Sequence, residues 1–194
     1  MRKIAVFDFD GTLTSRDTLL MFILDAKGLV AFTTGFLYRL PLIIMMKLRL
    51  YPNYRAKEKV FSYFFKGMPL DTFNLLCHRF AETHRHLLRP QAVETLEQAK
   101  AEGTEVLIIS ASIDNWVQPF FPDVKVLGTQ IEVEDGILTG RFLTKNCYGQ
   151  EKVNRLSAVY PDRETYHLTA YGDSRGDKEL LAYADESHYK PFRL

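Results

Sequence analysis

Asp8 and Asp10 stand two residues apart at the end of an apolar run, within Phe7-Asp8-Phe9-Asp10-Gly11-Thr12-Leu13. In an extended chain, residues i and i+2 project to the same side. Both carboxylates are therefore expected to face one solvent pocket, with Phe7 and Phe9 turned into the core. Two acids held together are costly unless a cation or a reaction uses them. Suitable partners follow in order: Ser110 after a second apolar run, Lys152 in Gly149-Gln150-Glu151-Lys152-Val153, and two acids in Gly172-Asp173-Ser174-Arg175-Gly176-Asp177.

These residue types suit phosphoryl transfer. A carboxylate can act as nucleophile through an aspartyl-phosphate, and the displacement needs charge neutralisation more than elaborate covalent chemistry. Hard oxygen ligands from few carboxylates select Mg²⁺. Asp8 is assigned as nucleophile. Asp10 protonates the leaving oxygen and then takes a proton from the attacking water. Asp173, Asp8 and the Asp10 carbonyl are the expected Mg²⁺ ligands, with Asp177 nearby through water. The Ser110 hydroxyl and the backbone amides after it, beginning at Ala111, are expected to bind phosphoryl oxygens that Lys152 neutralises.

The elements that must position these residues can be read from periodicity. Ile4–Phe9, Glu105–Ser110, Val124–Leu127, Tyr166–Tyr171 and a weak Ser187–Lys190 read as strands. Helices are expected over Gln91–Ala101, Gln150–Tyr160 and Arg175–Ala184. This alternation predicts a doubly wound, Rossmann-like α/β fold built on a parallel sheet, whose sites lie outside the carboxyl ends of the strands. Alternation around Asp135-Gly136 predicts a hairpin within Ile131–Phe142. Residues 15–86 read as an all-helical cap inserted between two parts of the core, 1–14 and 87–194. Within the cap, Asp17 is expected to cap a helix over Thr18–Ala26. Pro41 is expected to separate Leu29–Arg39 from Leu42–Leu50. Asn53 is expected to cap Tyr54–Lys66, and Asp71–His86 to form a last helix.

The 194 residues carry a formal net charge of +1, which gives no reason to expect nucleic acid as a partner. The charge is uneven. Between Gly28 and Lys66 seven bases face one acid, a local +6, so the remainder carries −5. The two cysteines, Cys77 and Cys147, lack metal-ligand spacing and fit a reducing, cytoplasmic compartment. Met1-Arg2-Lys3 leads directly into a strand, so no signal peptide is expected. Arg39 and Pro41 interrupt Leu29–Leu50, which argues against a membrane-spanning helix. Two cap helices packed on each other are one reading of this stretch. The other is an interfacial helix, its apolar run followed by Lys47, Arg49 and Arg55, in peripheral contact with anionic lipid.

Asp-x-Asp-Gly-Thr, a strand ending in Ser, a Lys, and Gly-Asp-x-x-x-Asp, in this order from Asp8 to Asp177, resemble the haloacid dehalogenase superfamily of Mg²⁺ phosphohydrolases. The large helical insertion after the first motif and Gly149-x-Glu151-Lys152-Val153 resemble its phosphoserine-phosphatase-like branch. Within that branch, Asp17 and Asn146–Val153 look most like bacterial phosphatidylglycerophosphatase C-type proteins. The resemblance implies a phosphatase acting on a phosphate monoester through phospho-Asp8, with a phosphorylated small molecule or lipid headgroup as partner. It also implies substrate contacts at Thr12 and Asp17. Phosphoserine phosphatases usually carry Glu where Asp17 stands, which argues against phosphoserine. Asp10 argues against dehalogenation, since true dehalogenases lack the second acid.

Plainer roles stand beside these. Asp8 and Asp10 could end a strand and bind a structural ion. Ser110 and Asp17 could be helix caps, Asp177 a favoured first-turn acid, and Lys152 a solvated helix lysine. Trp116 reads as packing. A soluble small-molecule phosphatase, a phosphotransferase, a phospho-aspartyl receiver module and a lipid-binding protein without turnover are the rival functions.

Overall fold

The computed structural model describes residues 1–47 and 51–193. Its centre is β1 (Arg2–Phe7), whose alternate residues enter two different cores. Ile4 and Val6 pack on one face of the sheet with Leu107, Ile109, Leu168 and Ala170. Ala5 and Phe7 pack on the other with Val106 and Ile108. Both faces are apolar because helices cover both, as a parallel sheet requires. The sheet order is β3–β2–β1–β6–β7, from β2 (Glu105–Ile113), β3 (Lys125–Thr129), β6 (Tyr166–Gly172) and β7 (Glu186–Tyr189), and every pairing is parallel. The chain leaves β1 toward β2 and returns on its other side at β6. That reversal is a topological switch point, where such folds place ligands.

The expected strands are present with shifted ends. β2 runs on through Ile113, with an irregular register against β3 between Ile109 and Ile113. The predicted hairpin is β4 (Ile131–Glu134) and β5 (Ile137–Phe142), antiparallel around Asp135-Gly136. It forms its own two-stranded sheet, because Phe142 turns onto Phe61, in the helical segment between β1 and β2, and not onto the main sheet.

The segment between β1 and β2 is helical: α1 (Thr18–Lys47), α2 (Asn53–Phe65), α3 (Leu70–Thr83) and, returning to the sheet, α4 (Pro90–Ala101). Phe22 is the centre of this packing, touching Phe65, Phe73, Phe80 and Trp116. Each such buried ring contributes roughly 1.5–3 kcal/mol. Trp116 sits on α5 (Asp114–Val117), a single turn after β2, and is packing, as its neighbours imply.

Three local expectations change. The helix breaks at Gly28 (φ 78°, ψ 165°) and continues through Pro41. Glycine alone adopts that conformation without a Cβ clash, so the kink falls there. Asn53 is the first helical residue, with Pro52 in the cap position. The helix expected over Asp71–His86 ends at Thr83, and a short 3₁₀ turn covers Arg85–Leu87. The end of the predicted Leu42–Leu50 segment, residues 48–50, lies outside the described residues. The remaining helices are α6 (Gln150–Val159) and α7 (Lys178–Tyr183), with a 3₁₀ turn at Arg175–Asp177 before α7.

Candidate active site

β1 ends at Phe7, and the Asp8 N–H donates to the Tyr171 carbonyl of β6 (2.9 Å), which fixes the first acid at the switch point. The chain then makes a tight turn over Phe9–Leu13, closed by the Thr14 N–H on the Phe9 carbonyl (2.9 Å). Gly11 is required twice in this turn. Its φ is 84°, and a Cβ there would collide with the Asp173 carboxylate. Asp173 follows β6, so the glycine lets the loops after the two central strands close on each other.

Lys152 lies in the first turn of α6, whose Val153 and Leu156 pack on the sheet. The Lys152 side chain is buried, and Nζ donates to Oδ1 of Asp8 and Oδ1 of Asp177, both at 2.5 Å. The other oxygen of Asp177 accepts from the Asp173 N–H (3.1 Å), the Ser174 N–H (2.9 Å) and the Ser174 hydroxyl (2.8 Å). Both Asp177 oxygens are thus committed to Lys152 and to the loop that carries Asp173. The Thr12 hydroxyl donates to Oδ2 of Asp8 (3.3 Å). Ser110 is buried, and its Oγ accepts the Ser112 N–H (3.1 Å) across the irregular stretch of β2.

Asp10 faces another direction. Its Oδ1 accepts from the N–H and the hydroxyl of Thr18, both at 2.7 Å, and its Oδ2 from the Ser112 hydroxyl. The carboxylate thereby meets the first N–H of α1, an end that favours negative charge. Asp17 takes the next position, accepting the Leu19 N–H (3.0 Å), so the expected cap is made. Asp8, Asp10, Asp17, Ser110, Ala111, Lys152 and Asp173 all line one cavity of about 1130 Å³; Asp177 and Thr12 lie behind it. A second cavity, of about 590 Å³, contains none of these residues.

A family model for haloacid dehalogenase-like hydrolases matches residues 5–182, which includes every one of these positions. The chain belongs to this family. CicA of Caulobacter vibrioides is 36% identical over 199 residues, covering 98% of this chain and 86% of its own. Among solved structures, a protein from Bordetella pertussis Tohama I is similar over 96% of this chain and 89% of that one, with 20% identity and a TM-score of 0.85. A substrate-bound phosphoserine phosphatase aligns over 97% and 86%, with 18% identity and a TM-score of 0.65.

In this dehalogenase-like hydrolase, ligand atoms of Asp8, Asp173 and Asp177 lie within 4.8 Å of one another. Oδ1 of Asp173 is buried and has no hydrogen-bond partner among the described residues. An orphaned carboxylate oxygen beside two further acids fits a hard divalent cation, which supplies what the protein's own donors do not. The electrostatics agree. Burial works to raise Asp177, but Lys152 and Ser174 outweigh it and hold its carboxyl below the usual range. Burial works to lower Lys152, but Asp8 and Asp177 keep its ammonium above its ordinary value. Asp177 is therefore the standing counter-ion of Lys152. Asp8 is left as the acid that titrates, pushed up to about 7 by burial against the pull of Lys152. Burial also raises Asp10, helped by Asp17, and raises Asp173 against the pull of Arg193.

A stability prediction follows from these signs. Carboxyls raised in the folded state favour the fold while protonated. That contribution is complete below the unfolded value, about 4, and is lost as pH rises toward the folded value of Asp8, about 7. Metal-free protein should therefore lose stability between about pH 4 and about pH 7, and Mg²⁺ should restore it most at the alkaline end. Thermal unfolding in EDTA and in Mg²⁺ checks this; a metal-free protein that gains stability over that range would contradict it.

Sequence reasoning passed over three side chains. Ser112 and Thr18 hold Asp10, and Arg193 pairs with Asp173. Ser112 carried a faint signal, since it lies two residues beyond Ser110 on the same strand. Arg193 carried none.

Proposed function

We propose that this chain hydrolyses a lipid phosphate monoester at the cytoplasmic surface of a membrane, through a phospho-aspartyl intermediate on Asp8. In this reading residues 15–86 are a cap over the site. The observation that carries the lipid reading is the make-up of the catalytic cavity. The same 1130 Å³ that holds Asp8 and Lys152 is lined by Leu20, Phe32, Phe36, Leu37 and Val60 from α1 and α2. A small polar phosphoester has no use for such a wall, whereas an acyl chain gains ~0.8 kcal/mol per buried methylene.

The chemistry follows from the side chains. Asp8 attacks phosphorus, and the bond to the leaving alkoxide breaks as Asp10 gives that oxygen its proton. Asp10, now ionised, takes a proton from a water that attacks phospho-Asp8, freeing inorganic phosphate and restoring both acids. Its raised carboxyl suits the first role. Lys152, held by Asp177, neutralises phosphoryl charge, and Ser110 and the Ala111 N–H are assigned to the phosphoryl oxygens, while Thr12, expected to touch substrate, instead holds Oδ2 of Asp8 from behind the cavity. Asp8, Asp173 and the Asp10 carbonyl would hold Mg²⁺, with Asp177 behind them; when bound, the ion screens the phosphoryl oxygens and favours ionised Asp8.

The outer face of α1 supports membrane contact. Phe22 and Ile23 bury its first part, while beyond Gly28 the side chains of Leu29, Val30 and Tyr38 are each at least 67% exposed. Thr18–Leu40, within which an 18-residue window has a mean hydropathy of 1.6, is long and apolar enough by composition to cross a bilayer. Its first part is committed to the protein core, so only the second is free to lie on a surface. Arg55, Lys57 and Lys59 of the adjacent α2 complement anionic headgroups.

A panel of lipid phosphomonoesters in mixed micelles, set against phosphoserine and sugar phosphates with Mg²⁺ or EDTA, tests the reading. The expected preference for lipid is at least about 10²-fold in kcat/KM, the effect of burying a few methylenes. Flotation with anionic vesicles at low salt should carry the protein upward. Faster turnover of phosphoserine than of any lipid would replace this reading with a soluble substrate.

A further inference from the structure

The chain after β7 is tied down by contacts that serve no strand or helix. Lys190 turns it with φ 56°, unusual for a residue other than glycine, and its N–H donates to the Gly172 carbonyl (2.7 Å). Phe192 is buried and stacks on Tyr171 at the end of β6 (5.7 Å, 19°). Arg89 donates through Nη1 to the Phe192 carbonyl (3.0 Å) and through Nε to the Thr14 carbonyl (3.2 Å). One arginine thus links this strap to the turn that follows Asp8. The next residue is Arg193, whose guanidinium pairs with Oδ2 of Asp173 and lines the catalytic cavity. The remaining oxygen of Asp173, Oδ1, is buried with no partner among the described residues.

We propose that Arg193 is a positioning residue for the metal centre: it holds Oδ2 of Asp173 so that Oδ1 is presented to the divalent cation. This rests on the reading that Asp8 and Asp173 bind Mg²⁺. Carboxylate ligands are commonly oriented by an outer hydrogen bond, and loss of such a partner typically costs 10–100-fold in metal affinity. A cationic partner also repels a cation, so the sign needs argument. The Arg193 side chain is 44% exposed and its charge is screened by solvent, whereas Asp173 is 7% exposed and its orientation is decided inside the protein. Orientation therefore outweighs repulsion, and removing the arginine weakens binding.

Mn²⁺ titration followed by electron paramagnetic resonance, on the full chain, is the test. Arg193→Ala should raise the Mn²⁺ Kd by about 10–100-fold. Arg193→Lys, which keeps a donor and the charge, should recover part of the loss. Phe192→Ala, which frees the strap while keeping the guanidinium, should weaken binding less than Arg193→Ala. The unfolding midpoint of Arg193→Ala in EDTA should stay near wild type, because the guanidinium is 44% exposed and solvent screens most of what it contributes. With substrate, the Mg²⁺ concentration for half-activation should rise by a larger factor than kcat at saturating Mg²⁺ falls. Equal or tighter Mn²⁺ binding by Arg193→Ala, with binding lost in Asp173→Asn, overturns the role of Arg193 and leaves the metal reading standing. No Mn²⁺ binding by the wild type overturns both.

Discussion

Asp8→Asn is expected to abolish phosphate release, lowering kcat by at least about 10⁴-fold, because an amide cannot form the phospho-enzyme. The fold should survive. Asn keeps the shape of Asp, Lys152 keeps Asp177 as counter-ion at 2.5 Å, and the substitution removes a carboxyl that burial already pushes up to about 7. The unfolding midpoint in EDTA should stay level or rise. Acid quench of wild type with labelled substrate should trap a hydroxylamine-sensitive acyl phosphate, absent from Asp8→Asn. Residual activity within tenfold of wild type would remove Asp8 from the role of nucleophile. A trapped phospho-enzyme lasting for hours would point to a receiver module.

Lys152→Met should damage both stability and turnover. The ammonium stands between two buried acids, Asp8 and Asp177, and its removal leaves them facing one another with no cation. Breaking a buried pair in this way costs about 3–5 kcal/mol. For a chain of this size that lowers Tm by roughly 6–20 °C, at about 2–4 °C per kcal/mol. Lower pH should return part of the loss, since a proton on either acid relieves the repulsion. Phosphate release should fall by about 10²–10³-fold, the usual effect of losing one preorganised group that stabilises developing charge. Adding Asp177→Asn to Lys152→Met separates the two effects. The double variant should regain much of the stability while staying inactive, because Asp177 positions the lysine and does no chemistry alone. A Lys152→Met protein that melts with wild type would show that the buried pair carries no net stability. Restored turnover in the double variant would show that the lysine is dispensable.

Much of the architecture was legible because burial on both faces of a parallel sheet writes itself into short apolar runs. Ile4–Phe7 could be placed from residue types alone, and so could the strands carrying Ser110 and preceding Asp173. The hairpin at Asp135-Gly136 was legible for the same local reason, a turn dipeptide between alternating residues. The break in the first insertion helix was less so. Proline is the stronger helix breaker on propensity, yet the chain bends at Gly28, where a positive φ is available, and continues helical through Pro41.

The order Asp8, Asp10, Ser110, Lys152, Asp173, Asp177 was enough by itself to indicate phosphoryl chemistry and the family, because ligand and catalytic side chains must lie at strand ends or first helical turns, and those places are locally encoded. Tertiary structure alone decided how the charges pair. That Lys152 is shared by Asp8 and Asp177, that Ser112 and Thr18 hold Asp10, and that Arg193 reaches Asp173 are contacts between segments distant in the chain. Such contacts have no period and no spacing to read. They exist because the chain reverses beside β1 and closes its loops over Gly11.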